Sequence, residues 1–332
     1  MLSARRFRLA LLASLALVGL LLTWIATNFG GLQATLWAVD GANLLAPLLA
    51  AIFCLTRSMR EQGRSAVGWQ ALGFGCLAWA LGESYIAYHE LWVERGLPIP
   101  ERTIPFPSIA DAGFLAFIPL AILGVLLIPR GIFRSSLRID AALDAAVIGL
   151  AVLSIVWWLG LDAITLASDL SLFESVLLLA YPWGDVLLVS AALAIWTYIG
   201  AGERTSVAFV VVGVLLFAVA DIGYAVLIPA HYPGIHWVTA LWPAGFLAIA
   251  LGAARPPLDP VRFESDSIPG RFVLPLFCAT AGVLLLTRAV QGKLDFVHAA
   301  MGLLLAAGLV LRVARRSAER RRVRRLRDAN ET

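Results

Sequence analysis

The chain has little charge, and the charge it has is unevenly chosen. Asp, Glu, Lys and Arg make up 14% of 332 residues, against about a quarter in an ordinary soluble domain. With 60% hydrophobic residues and a mean hydropathy of +0.85, that shortage excludes a water-soluble enzyme. No polar stretch is long enough for a folded extramembrane domain of about 100 residues. Cysteine is scarce: Cys54, Cys76 and Cys278 lie in apolar runs without C-x-x-C spacing, which excludes a disulfide framework or a cysteine metal site and leaves small packing residues. The four histidines are scattered near span ends and define no zinc site. No G-x-S-x-G, H-E-x-x-H or Walker loop occurs. The chain therefore offers no catalytic residue, cofactor or metal ligand and reads as a non-enzyme.

What is present is a succession of ten apolar segments, near 9–28, 34–56, 66–89, 109–128, 141–161, 174–199, 205–228, 237–254, 272–290 and 295–312. Each is long enough to cross a hydrocarbon core of about 30 Å. The expected fold is an all-α integral membrane bundle of about ten transmembrane helices. Arg5, Arg6 and Arg8 precede the first segment, which we expect to be a retained anchor because no cleavage site follows. Basic residues set the direction. With both termini inside, 22 of the 26 basic residues fall on the inner side, leaving Arg95, Arg102, Arg288 and Lys293 outside, as the positive-inside rule requires. The chain divides into an eight-helix membrane module (1–254) with weak hairpin repeats, a Pro-rich cytoplasmic linker (255–271), a terminal transmembrane hairpin (272–312) and an Arg-rich cytoplasmic tail (313–332). A loop at 90–108, carrying Glu90, Glu94, Glu101 and four prolines, is expected to form a stiff outer cap.

Ionisable residues inside spans are costly and require a reason. All six here are acids: Asp40, Glu83, Asp111, Asp144, Asp185 and Asp221. Asp40, Asp111 and Asp144 lie near span ends, where helix N-termini or interfacial water stabilise a carboxylate. Glu83, Asp185 and Asp221 lie deeper, with no Lys or Arg expected at their depth. Glu83 and Asp221 each stand eight residues after a glycine and two or three before Tyr85 or Tyr224, which reads as a weak repeat over spans three to eight. The candidate ligand or proton cavity is Glu83, Asp111, Asp144, Tyr181, Asp185, Asp221 and Tyr224. Two explanations stand side by side: carboxylates that lock helices together as polar glue, or carboxylates lining a cavity.

After the tenth span, Arg315, Arg316, Arg320, Arg321, Arg322, Arg324 and Arg325 continue without a helix breaker. This segment reads either as an anchor on anionic lipid or as a helix leading to a cytoplasmic output. The only partners expected are the bilayer, a cytoplasmic output protein and a second copy of the chain. Nucleic acid is not expected, because the chain without its tail is acidic.

Residues from about 66 to 254 resemble the multi-pass sensory region that precedes GGDEF and GGDEF–EAL domains in bacteria, notably actinobacteria. The likeness rests on Pro107-Ser-Ile-Ala-Asp-Ala-Gly-Phe-Leu-Ala-Phe-Ile-Pro119, Ile139-Asp-Ala-Ala-Leu-Asp144, Ala180-Tyr-Pro-Trp-Gly-Asp185 and Val219-Ala-Asp-Ile-Gly-Tyr224. It implies a multi-pass protein of the bacterial plasma membrane that serves as a sensory input to cyclic di-GMP signalling. The chain has no GGDEF or EAL motif, so no catalytic residue is implied and the output would be supplied elsewhere. Two further functions fit the same acids: a proton-coupled small-solute transporter, or a membrane enzyme modifying lipid or glycan.

Overall fold

A computed structural model describes residues 3–93, 106–129, 135–158, 171–199, 201–227, 236–255, 268–292 and 296–331. Among them stand ten long helices and no strand. These are α1 (Ala4–Thr27), α2 (Gly31–Ser58), α3 (Gly63–Tyr88), α4 (Ile109–Leu127), α5 (Ser135–Val156), α6 (Leu172–Tyr198), α7 (Ala201–Leu227), α8 (Leu241–Ala254), α9 (Ile268–Val290) and α10 (Phe296–Glu331). The number and order match the ten apolar segments. Most of the 90–108 cap and of the 255–271 linker lies outside the described residues.

The protein is an all-helical membrane bundle, and among the described residues seven helices are long and apolar enough to span. The apolar stretches described in α5 and α9, 142–156 and 274–290, are shorter. α3 is not among the seven. Gln70, Glu83 and glycines at 68, 73, 75 and 82 dilute its hydropathy, and it can carry them because much of its surface is buried against neighbours.

Six helices form a closed cycle of packed pairs: α2 on α3, α3 on α4, α4 on α6, α6 on α7, α7 on α8, and α8 back on α2. α1 leans on this ring along α2 and α8, while α5 packs on α6. α9 and α10 both pack mainly on α5 rather than on each other. The contacts join helix ends that the arginine count places on one side. At the inner end the Arg57 guanidinium pairs with Glu61 at 2.7 Å, lies 5.6 Å over Trp69 and donates to the Arg255 carbonyl. At the outer end Trp37 meets Trp92 edge to face.

Two pairs, α3–α4 and α7–α8, pack at backbone distance, and glycine is the reason. A Cβ on Gly113 would stand 2.4 Å from the Ala78 carbonyl oxygen, and one on Gly213 2.6 Å from that of Gly245. Small residues allow this approach, and dispersion between backbones holds it where lipid removes the hydrophobic drive. Between the pairs lies one cluster of rings. Trp79 of α3 meets Phe217 of α7 with centroids 4.5 Å apart, Phe117 of α4 meets Phe217 at 4.9 Å, and Phe246 of α8 touches all three.

Gly113→Val should destabilise the bundle by about 1–3 kcal/mol, because the added atoms meet backbone that cannot yield. Gly41, where a Cβ has open space, provides the control: Gly41→Val should stay within about 0.5 kcal/mol. Thermal unfolding in detergent would compare the two.

Candidate functional site

The acids of the bundle are placed by the ring cluster. Trp79 and Phe217 lie in its centre, and one turn further along each helix, four residues on, stand Glu83 and Asp221. Side chains four apart share a helix face, so both carboxyls emerge from the same side of the rings, toward the outer end. Trp242 occupies the matching level of α8, four residues before Phe246. Its indole Nε1 donates to Asp221 Oδ1 at 2.6 Å, and its ring packs against Tyr224 with centroids 5.3 Å apart.

Asp185 of α6 faces Asp221 across the α6–α7 contact, within hydrogen-bonding reach. It is 2% exposed, and neither of its oxygens meets a donor among the described residues. Two carboxylates so placed repel in a medium that screens poorly. A proton or another donor between them turns the repulsion into a bond, and the two groups then titrate as one unit.

Glu83 lies within electrostatic range of Asp221 and of Glu90. Glu90 was expected in the outer loop. It is instead buried in a π-helical turn, His89–Val93, that prolongs α3. The wider turn changes which side chains face inward, so Glu90 and Leu91 are covered and Glu90 lies close to Asp40 of α2. The Trp79 indole nitrogen lies near Glu83 but closes no hydrogen bond. Tyr224 sits within range of Glu83 and Glu90. The result is a row of carboxyls, Asp40, Glu90, Glu83, Asp221 and Asp185, walled by Trp79, Trp242 and Tyr224. They do not converge: no three acids, histidines or cysteines among the described residues are grouped so as to hold a metal ion.

The remaining candidates divide from this row. Asp111 begins α4 and caps it, accepting from the Ser108 backbone N–H at 2.6 Å. Its other oxygen accepts from the Tyr181 hydroxyl at 2.5 Å. Both oxygens are satisfied, so this pair is a clasp between α4 and α6, as a helix N-terminus can provide. Asp144 stands apart on α5, where Arg312 of α10 grips it with two nitrogens, Nη2 meeting Oδ2 at 3.1 Å. Arg312 thereby holds α10 to α5.

Of the tail residues, Arg315 is partly covered and Arg321 exposed; the side chains of Arg316, Arg320, Arg322, Arg324 and Arg325 lie outside the described residues. α10 itself runs without interruption from Phe296 to Glu331.

Sequence reasoning found Glu83, Asp185, Asp221 and Tyr224 as a group but missed Glu90, Trp242 and Arg312. The aromatic residue four before each deep acid, Trp79 before Glu83 and Phe217 before Asp221, was a readable signal. The partnership of Arg312, 168 residues from Asp144, was not. No protein family, curated protein or solved structure matches the chain.

Arg312→Gln should destabilise by about 3–5 kcal/mol, since it removes the bidentate cation from the buried Asp144 carboxylate. Adding Asp144→Asn should recover much of that loss in a double-mutant cycle of thermal unfolding. Trp242→Phe, which removes only the donor to Asp221, should cost about 0.5–2 kcal/mol in the same assay.

Proposed function

We propose that this chain is a sensory input module of the bacterial plasma membrane that passes a signal to cyclic di-GMP turnover through a cytoplasmic output. The observation that carries this is α10. It is one helix from the apolar part of the bundle to the Arg-rich segment, and it is tied to the bundle by the Asp144–Arg312 pair on α5. α5 in turn packs on α6, which bears Asp185. A change at the Asp185–Asp221 contact therefore has a short mechanical route, through α6 and α5, to the helix that leaves the membrane. Two discrete packings of α5 against α10 would serve as the switch. The ordered motifs between 107 and 224 support cyclic di-GMP as the signalling currency.

The carboxyl row also supports a second reading, a proton-coupled transporter with its site among Glu83, Asp185 and Asp221. The two readings differ in what Asp221 controls. Spin labels placed through Met59→Cys and Ala318→Cys, both exposed positions, would report the distance between the inner end of α2 and the exit helix. In the sensor, Asp221→Asn should shift that distance distribution with helix content unchanged, and should change cellular cyclic di-GMP when the chain is expressed in its host. An unchanged distance, with loss of proton-linked solute uptake into proteoliposomes, would replace the sensor by the transporter.

A further inference from the structure

The ligand of the carboxyl row can be argued from what its members lack. We propose that the Asp185–Asp221 pair is a proton-binding site, which holds one exchangeable proton shared between the two carboxyls and loads from the outer face through the row Asp40, Glu90 and Glu83. The inference rests on the same site as the sensory reading and names its stimulus.

Three observations lead there. Asp185 is buried with both oxygens unmet, and the group it faces, Asp221, is another acceptor. Neither can satisfy the other unless a hydrogen lies between them. The Trp79 indole nitrogen, on a residue 4% exposed, is buried without a hydrogen-bond partner and lies near Glu83. The row thus holds a donor that no carboxyl has taken up. Finally, the acids form a row rather than a cage and build no metal site. A proton needs no cage; it needs successive acceptors, each near the next.

The charged and titratable groups around the pair leave the proton as its counter-charge. On α7, Asp221 receives Trp242 of α8, and Glu83 of α3 stands nearby. On α4, Asp111 is engaged by Tyr181. On α5, Asp144 faces Arg312. On α9, Arg288 reaches the Trp158 carbonyl, and Cys278 lies toward Asp144 and Arg312. At the ends of α6 and α7, Glu174 caps its own helix on Ser171, and Arg204 stacks on Trp196. No cation among the described residues is turned to Asp185 or Asp221.

In chemical terms, two facing carboxylates take one proton from outer water and become a carboxyl–carboxylate pair joined by a hydrogen bond. Release of that proton restores the repulsion and loosens α6 from α7. Asp185→Asn offers a permanent N–H donor to Asp221 and so imitates the loaded state without exchange.

Infrared difference spectra of the full chain in lipid nanodiscs, recorded between alkaline and acidic buffer, test this directly. Wild type should gain a carboxylic acid carbonyl band on acidification, and the band should shift in heavy water. Asp185→Asn and Asp221→Asn should each lose it while helix content by circular dichroism is retained. A wild-type carbonyl band that responds neither to pH nor to heavy water would mean a fixed structural proton and overturn the proposal. So would an exchangeable band that survives both substitutions, or the absence of any band. If either variant fails to fold, the other and the wild-type titration still decide. The measurement uses no signalling output, so the proton site and the sensory reading can fail separately.

Discussion

Everything placed in the outer half of this bundle depends on two helix pairs meeting at glycine. α3–α4 and α7–α8 approach until backbone touches backbone, and only then can Trp79, Phe114, Phe117, Phe217 and Phe246 pack as one cluster across all four helices. Ring contacts of this kind add about 0.5–1.5 kcal/mol each beyond the area they cover. In lipid, where apolar area alone distinguishes little, such contacts and the close approach of backbones become the main cohesion. The ring cluster also gives the molecule polarity along its axis. Inward of it, among the described residues, the ring of helices buries no acid before the Arg57–Glu61 clamp; one turn outward the carboxyls begin.

The acids then separate by how well they are served. Asp111 and Asp144 are engaged at both oxygens, the first by a helix N-terminus and a tyrosine, the second by a bidentate arginine. These are the polar glue of a membrane protein, which fixes which helices are neighbours. Among the described residues, Asp185 is served by nothing but another acid. Burial without a partner is the more expensive arrangement, and a fold that could supply an arginine to Asp144 supplies none here among the described residues. The contrast within one chain, under one set of packing rules, is the ground on which the Asp185–Asp221 pair is proposed as a site.

The helices were legible because their signal is local. Runs of about 20 apolar residues bounded by Arg, Pro and Gly announce spans whatever their neighbours do. The deep acids were legible for the same reason, as polar residues within apolar runs. Their partners were not. Whether Asp144 lines a cavity or meets a cation depends on α10 lying against α5, and nothing in either segment alone states that. Glu90 was misplaced because a proline-rich loop follows it. The π turn that buries it depends on the fit of Leu91 and Trp92 to their surroundings, which a periodicity of 3.6 residues does not capture.

One consequence joins the acids to the exit helix. α6 carries Asp185 on its α7 side and Tyr181 toward α4, and it meets α5 as well. It is therefore the one helix that touches the carboxyl pair, the α4 clasp and the route to α10. In the proposed sensor, a change in repulsion at Asp185 is opposed at Tyr181–Asp111, where the clasp holds α6 to the capped start of α4, so that α6 would pivot there rather than translate. Its inner half, below the clasp, carries that motion to α5. The Asp144–Arg312 pair near the inner end of α5 is a joint that transmits it, because a bidentate guanidinium–carboxylate contact fixes orientation as well as distance. In that proposal the satisfied acids form the mechanical frame, and the unsatisfied pair is the element that would move it.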